Sequence, residues 1–348
     1  MSEWSVEKTE WFGESALAVN GGGKVSAVVV LRGATLLSWQ ISHAGELLEL
    51  TDGYRSAAEF RDQSGVRNGV LAPFPNRVAD GRYDFGGQAY DLLPGAHGDR
   101  TVYHGFARLV PFVLESATTA ADAAQVVLRS SEIRPNRFAG YPFALDVTVT
   151  YTLAADGITL EIDAVNAGDT TAPYAAGWHP YLQLGNGVDD IDGLELRIPA
   201  DTLIRTDEAL IPVAGPDSRI DLDGLPEMDF RRGSALGNRV IDACYGGLRF
   251  ERGGCAESAL RDPKTGRELR VWQESGFMHV FTGDTLPRDR RRSVALEPVE
   301  VLTDAYNRDE FAAAITLAPG EHRSFRCGVR FVGPSRPDGS RPRSGQQL

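Results

Sequence analysis

The sequence predicts an all-β fold, a large antiparallel β-sandwich, and three observations carry that expectation. Short runs rich in Val, Leu, Ile and aromatic residues recur along the chain, several of them alternate apolar with polar residues, and Gly or Asp punctuates the gaps. Ala144-Leu145-Asp146-Val147-Thr148-Val149-Thr150-Tyr151 shows the alternation most clearly, with the period of two that a strand with one buried face requires. Taken in order, residues 24–32, 123–130, 144–153, 158–166 and 271–282 read as strands. Phe85-Gly86-Gly87-Gln88 and Ala155-Asp156-Gly157 read as hairpin turns, where positive φ costs little. Helical periodicity is scarce: only 304–314 suits a short helix, with Asp309 and Glu310 ahead of a run of alanines. Without alternating strand and helix signals, a sandwich is favoured over βαβ architecture.

The 348 residues are 42% hydrophobic and 24% charged, enough to bury a substantial core. Residues 1–332 read as a single domain, and 333–348, rich in Pro, Gly, Ser and Arg, as a disordered tail. A formal net charge of −12 argues against nucleic acid or an anionic membrane as partner, since both attract basic surface. The first residues lack an apolar signal core, and no run reaches the ~18 apolar residues of a membrane span, so a cytoplasmic location is expected. Cys244, Cys255 and Cys327 are odd in number and lack CxxC spacing, which suggests reduced thiols and neither disulfides nor a zinc knuckle.

Two segments offer an acid and a base: Gly177-Trp178-His179-Pro180-Tyr181 and Ala295-Leu296-Glu297-Pro298-Val299. An ordinary imidazole titrates near ~6.5 and can donate a proton, while an ordinary Glu near ~4.3 is ionised and can accept one. On these residues alone, His179 could equally be a hydrogen-bonded strand-end histidine. Glu297 could be a partner for the arginines within 288–292, and Glu300 competes with it. That arginine run itself reads as a solvated loop, and His97 as part of a mobile loop at the rim of any site.

Four segments in order then resemble the aldose 1-epimerase family, the galactose mutarotase-like proteins, over about residues 14–332. They are the stretch from Asn68 through Asn76-Arg77-Val78 to Tyr83, then Tyr103-His104-Gly105-Phe106, then Gly177-Trp178-His179-Pro180-Tyr181. The fourth is Leu296-Glu297-Pro298 followed by Thr303-Asp304-Ala305-Tyr306-Asn307. The resemblance implies a β-supersandwich with the sugar in an open cleft. It implies His179 as the acid on the ring oxygen, Glu297 as the base on the anomeric hydroxyl, and His104 as a second imidazole on the sugar. Arg77 and Asp242 would hold hydroxyl groups, and Asn76 would belong to the binding motif; read from its own neighbours, Trp178 could stack on the sugar's apolar face, although aromatics in β proteins are more often core. The chain departs from the family's usual text at Leu182-Gln183, at Phe106 and at Pro298-Val299, which leaves the identity of the sugar open.

The function so implied is interconversion of the α and β anomers of a hexose by acid–base ring opening and reclosure, with no metal or organic cofactor. The partner would be a small aldose, and the protein a monomer or homodimer. One alternative is epimerisation of a hexose 6-phosphate, for which Arg67, Arg77, Arg82 or Arg108 could supply a cationic pocket. Another is a non-catalytic sugar-binding protein on the same fold. A glycosidase would call for two carboxylates, and a metal hydrolase for short His-x-His or HExxH spacing; the chain offers neither pattern around His179 and Glu297.

Overall fold

The computed structural model describes residues 4–98, 100–185 and 190–334. Its strands are short to medium in length, and every paired strand in its sheets runs antiparallel to its neighbour. A five-stranded meander, Trp4–Trp11, Glu14–Gly21, Val25–Val30, Thr35–His43 and Glu46–Glu49, opens the chain. A nine-stranded sheet follows, whose centre is Ala123–Ile133, Leu145–Ala154, Gly157–Asn166, His322–Val332 and Glu268–Gln273. Strict alternation dictates how these strands sit: in Leu145–Ala154 every second side chain is buried and the Thr and Asp residues between them lie on the more open face. The two-residue loop Ala155-Asp156 and the Gly86-Gly87 pair, both glycines at positive φ, close hairpins where turn chemistry predicts them.

A third, eight-stranded sheet carries the chemistry. Along it lie Asp242–Gly246, Phe277–Phe281, Val294–Val299, Gly177–Trp178 and Val70–Leu71, with Tyr181–Leu182 also paired to Val294–Val299. One large apolar cluster, in which Trp39, Trp178, Tyr141 and Tyr174 are fully buried, runs between these sheets.

Two expectations need correction. The run 271–282 is not one strand: it breaks after Gln273, and the two pieces enter different sheets. The cause is Gly276, at φ +87°, where a Cβ would lie 2.1 Å from the Val299 carbonyl oxygen. The arginines of 288–292 lie in a loop with Arg290 and Arg292 exposed, but that loop is not wholly solvated either. Arg288 pairs with Glu59 and Asp52, and Arg291 with Asp192 and Asp284. Residues 304–314 form two single 3₁₀ turns and the start of the four-residue helix Ala312–Ile315; a five-residue helix at Ala57–Arg61, capped by Ser56 Oγ, has no counterpart in the sequence reading. The tail expected to be disordered lies outside the described residues, apart from Gly333 and Pro334.

Candidate active site

Glu297 is held in the middle of Val294–Val299 and is 1% exposed. The segment bearing His179 is clamped on that strand at both ends, Gly177 opposite Val299 and Tyr181 opposite Ala295. Gly177 is needed for the clamp, because a Cβ there would lie 2.9 Å from Val299 Cγ1 and 3.1 Å from the Pro298 carbonyl oxygen. With the backbone fixed in this way, His179 Nε2 comes within 3.3 Å of Glu297 Oε1. The imidazole stacks on the Tyr181 ring at 4.9 Å between centroids, which fixes its plane.

His104 and Asn76 both sit in left-handed backbone conformations, at φ 64° and 54°. Such positions cost on the order of 1–3 kcal/mol and persist only where the surroundings impose them. Here a reciprocal pair of bonds does so: the His104 N–H donates to the Asn76 carbonyl at 2.9 Å, and the Asn76 N–H donates to His104 Nδ1 at 3.2 Å. Gly105 lets the loop approach, since a Cβ there would lie 2.2 Å from the Ala72 carbonyl oxygen. Because a backbone N–H can only donate, His104 Nδ1 must accept, and its ring proton belongs on Nε2.

Asn76 Oδ1 accepts from the Arg77 backbone N–H at 2.8 Å and from Arg77 Nη1 at 3.3 Å. Arg77 Nη2 stands 3.9 Å from Asp242 Oδ2, and both side chains are about one quarter exposed. Asp242 opens its strand and receives His279 Nε2 at 2.8 Å.

These groups line one cleft of about 240 Å³, with Asn76, Arg77, Asp242, His104, His179, His279 and Glu297 as its polar part. Phe281, Leu286, Pro287, Val66 and Tyr181 supply an apolar wall. Of the seven site residues expected from the sequence, six lie on this cleft. Trp178 does not: it is fully buried and its indole N–H donates to the Asn68 carbonyl at 3.3 Å. Alternation explains the correction, since a strand that turns His179 to the cleft turns its neighbour into the core. Glu300 is likewise absent from the lining and accepts a bond from the Ala176 N–H at 2.9 Å. His97 is exposed and lies off the lining. His279 was missed; it faces the cleft because it stands directly opposite Glu297 in the register of neighbouring strands.

Burial reorders the proton affinities. Desolvation pushes Glu297 up to about 8, against the pull of His279 and Arg77, and pushes His179 down to about 3. The order is the reverse of the free side chains, so near pH 7 the pair holds one proton and Glu297 keeps it. Burial also takes His104 well below its ordinary value, with the charges of His179 and Arg108 acting in the same sense. Burial opposes ionisation of Asp242, but the His279 hydrogen bond and charge and the Arg77 charge hold it below the usual carboxylate range.

One nitrogen each of His104 and His179 and one oxygen of Glu297 lie within 4.8 Å of one another, a spacing that a cation could in principle use. The hydrogen bonding of His104 disfavours it: Nδ1 is occupied as an acceptor and Nε2 bears the proton, so neither nitrogen offers a free lone pair. The same features suit hydroxyl and ring oxygens of a sugar, with His104 Nε2–H and Arg77 as donors, Asp242 as acceptor and the His179–Glu297 pair to move a proton.

Three cationic positions considered for a phosphate are off the cleft lining. Arg67 is fully buried against Asp52, Arg82 pairs with Asp80 and Asp91, and Arg108 packs on the Tyr103 ring. Among the described residues no helix is long and apolar enough to cross a membrane.

A family profile described as aldose 1-epimerase matches residues 15–330. The mouse protein named galactose mutarotase is 26% identical over 329 residues, covering 88% of this chain and 91% of its own. The uncharacterised Escherichia coli protein YihR is 27% identical over 239 residues, covering 68% of this chain and 71% of its own. Among solved structures, a galactose mutarotase-like protein from Clostridium acetobutylicum superposes with a TM-score of 0.81 at 15% identity, covering 95% of this chain and 99% of that one. The galactose 1-epimerase from Lactobacillus acidophilus NCFM superposes with a TM-score of 0.78 at 17% identity, covering 96% and 100%.

Proposed function

The chain belongs to the aldose 1-epimerase family, a membership that carries a general mutarotase or epimerase role, and we propose that it interconverts the anomers of an unphosphorylated aldose through His179 and Glu297. The observation that carries this reading is the 3.3 Å approach of His179 Nε2 to Glu297 Oε1 inside a cleft lined by Arg77, His104 and Asp242.

Ring opening breaks the C1–O5 bond. Glu297 as carboxylate takes the proton of the C1 hydroxyl, the electron pair left on that oxygen forms the carbonyl, and His179 as imidazolium delivers a proton to departing O5. The open-chain aldehyde then turns about C1–C2. Reclosure reverses both transfers: neutral His179 takes the C5 hydroxyl proton as that oxygen attacks C1, and Glu297 returns its proton to the carbonyl oxygen. The arrangement favoured by burial, neutral His179 beside protonated Glu297, is the one that reclosure starts from. Ring opening starts from the other placement of the same proton, and the short distance allows the exchange. Arg77, Asp242 and His104 hold hydroxyl groups in both states and so contribute binding.

An unphosphorylated substrate is favoured over a hexose 6-phosphate because Arg77, the one arginine on the described lining, is already engaged by Asn76 and Asp242. The Asp242 carboxylate beside a single engaged guanidinium makes a poor cradle for a dianion. In this reading residues 1–332 act as one unit, since the apolar cluster is shared by all three main sheets. The test is polarimetric or NMR anomer exchange over a panel of free and phosphorylated aldoses, with and without EDTA. A free aldose should be accelerated, its 6-phosphate much less so, and EDTA should change nothing; preference for the phosphate would reverse the substrate reading.

A further inference from the structure

Glu297 must be a carboxylate to accept a proton, yet little in its own surroundings supports one. Its Oε1 faces His179, while Oε2 is buried without a hydrogen-bond partner. Arg77 is shared with Asn76 and Asp242. A buried carboxylate left in this way takes up a proton unless a fixed positive charge stands close by.

The remaining candidate is His279, which the mechanism above does not use. It is 6% exposed, lines the same cleft, and stands opposite Glu297 across two paired strands. Its Nε2 is fixed at 2.8 Å from Asp242 Oδ1. We propose that His279, anchored by Asp242, is a positioning residue whose imidazolium form stabilises the carboxylate that Glu297 becomes when its proton passes to His179 for ring opening. This inference rests on Glu297 being the base.

The groups around the two side chains allow such a role. His279 is faced by Asp242 and Cys244 from strand Asp242–Gly246, by Glu297 from Val294–Val299, by Asn76, and by His104 and His179. Glu297 is faced in addition by Arg77 and Tyr181. Burial opposes a charge on His279, but the Glu297 charge and the Asp242 hydrogen bond outweigh it and raise its pKa well above the ordinary value. In return, the His279 charge comes first among the influences that pull Glu297 down against burial.

Asn76 supplies the counterweight. Its Oδ1 is engaged by Arg77, so it presents its amide N–H to His279 Nδ1 at 3.4 Å, the outer limit of a hydrogen bond. That contact exists only while Nδ1 is bare. Protonation gives up this weak bond and gains the attraction of the Glu297 charge, which a water-poor site strengthens. Ionisation of Glu297 and charging of His279 are therefore coupled, and Asp242 acts through His279 as well as on the sugar.

The test is His279→Gln, whose amide can still donate to Asp242 but cannot carry a proton. Without the positive charge Glu297 holds its proton to higher pH. The alkaline limb of kcat/KM should move up by about one unit, and kcat at pH 7 should fall about tenfold with KM changed less than about threefold. An alkaline limb that stays where the parent has it, or an equal loss at every pH, would overturn the inference. A measurement on the unaltered protein does not depend on the variant folding: of six histidines, the ¹⁵N-labelled imidazole assigned to His279 should titrate above the ordinary ~6.5, and an ordinary or lower midpoint would overturn it. Failure of the underlying reading is distinguishable, because Glu297→Gln would then keep the parent kcat. The inference alone fails if Glu297→Gln is inactive while His279→Gln leaves the pH profile unmoved.

Discussion

His179 Nε2 and Glu297 Oε1 lie 3.3 Å apart with both side chains almost wholly buried, so the two groups share one proton in place of titrating as separate residues. That relationship sets the pH dependence. Glu297, raised to about 8, keeps its proton through neutrality and loses it above that pH. His179, lowered to about 3, gains a second proton only below that pH. The pair is thus singly protonated between these limits. The kcat/KM profile should be level through the neutral range and fall about tenfold per unit at pH values above Glu297's. A profile that instead falls about threefold as pH rises from 6 to 7, as a free imidazole near ~6.5 would place its alkaline limb, would contradict the burial argument.

Arg77 contacts ligand hydroxyls in this account without moving a proton. Arg77→Ala should raise KM by about ten- to a hundredfold and change kcat by less than about fivefold, the signature of lost uniform binding. Steady-state anomer exchange at several sugar concentrations separates the two constants. A collapse of kcat at unchanged KM would place Arg77 in the chemical step.

A methyl glycoside lacks the C1 hydroxyl proton that Glu297 removes but keeps most of the other hydroxyls. It should inhibit competitively, with no change of anomeric configuration and no methanol released. Methanol would identify a glycosidase, and exchange of the glycoside's anomers would require another route of ring opening.

Asp52 lies beneath Tyr181, where its backbone N–H donates to the Tyr181 carbonyl and its carboxylate receives Arg67, Arg288 and Ser293. Asp52→Ala leaves the fully buried Arg67 guanidinium without its closest anion. Such a broken buried pair should cost ~3–5 kcal/mol, read as a lowered midpoint in urea unfolding at an unchanged slope. A loss below about 1 kcal/mol would mean that Glu59, 3.6 Å away, carries the pair alone.

The strand pattern was legible because alternation is a local property: 144–153 and 158–166 became strands within one residue of their expected bounds. The cleft residues in contiguous motifs, His104, His179, Glu297, Asn76 and Arg77, were legible through family resemblance. His279 was not, because its position opposite Glu297 and beside Asp242 follows from the register between three paired strands, which no local pattern encodes. Trp178 was misplaced although local alternation argued against it: next to an inward His179, it had to face the core. The break in 271–282 depended on the approach of Gly276 to Val299, a contact no local pattern encodes. Nor could the sequence give the reversed proton affinities of His179 and Glu297, since these come from burial.

The central claim is that Glu297 and His179 move the protons that open and close the sugar ring. It is tested most directly by NMR exchange of the α and β anomeric signals of a free aldose, with the parent protein and with Glu297→Gln at equal concentration. The parent should accelerate exchange, and the variant, which keeps the side chain's shape but cannot accept the proton, should lose about 10²–10⁴-fold of that acceleration while still binding the sugar. An unaltered exchange rate in Glu297→Gln would contradict the account.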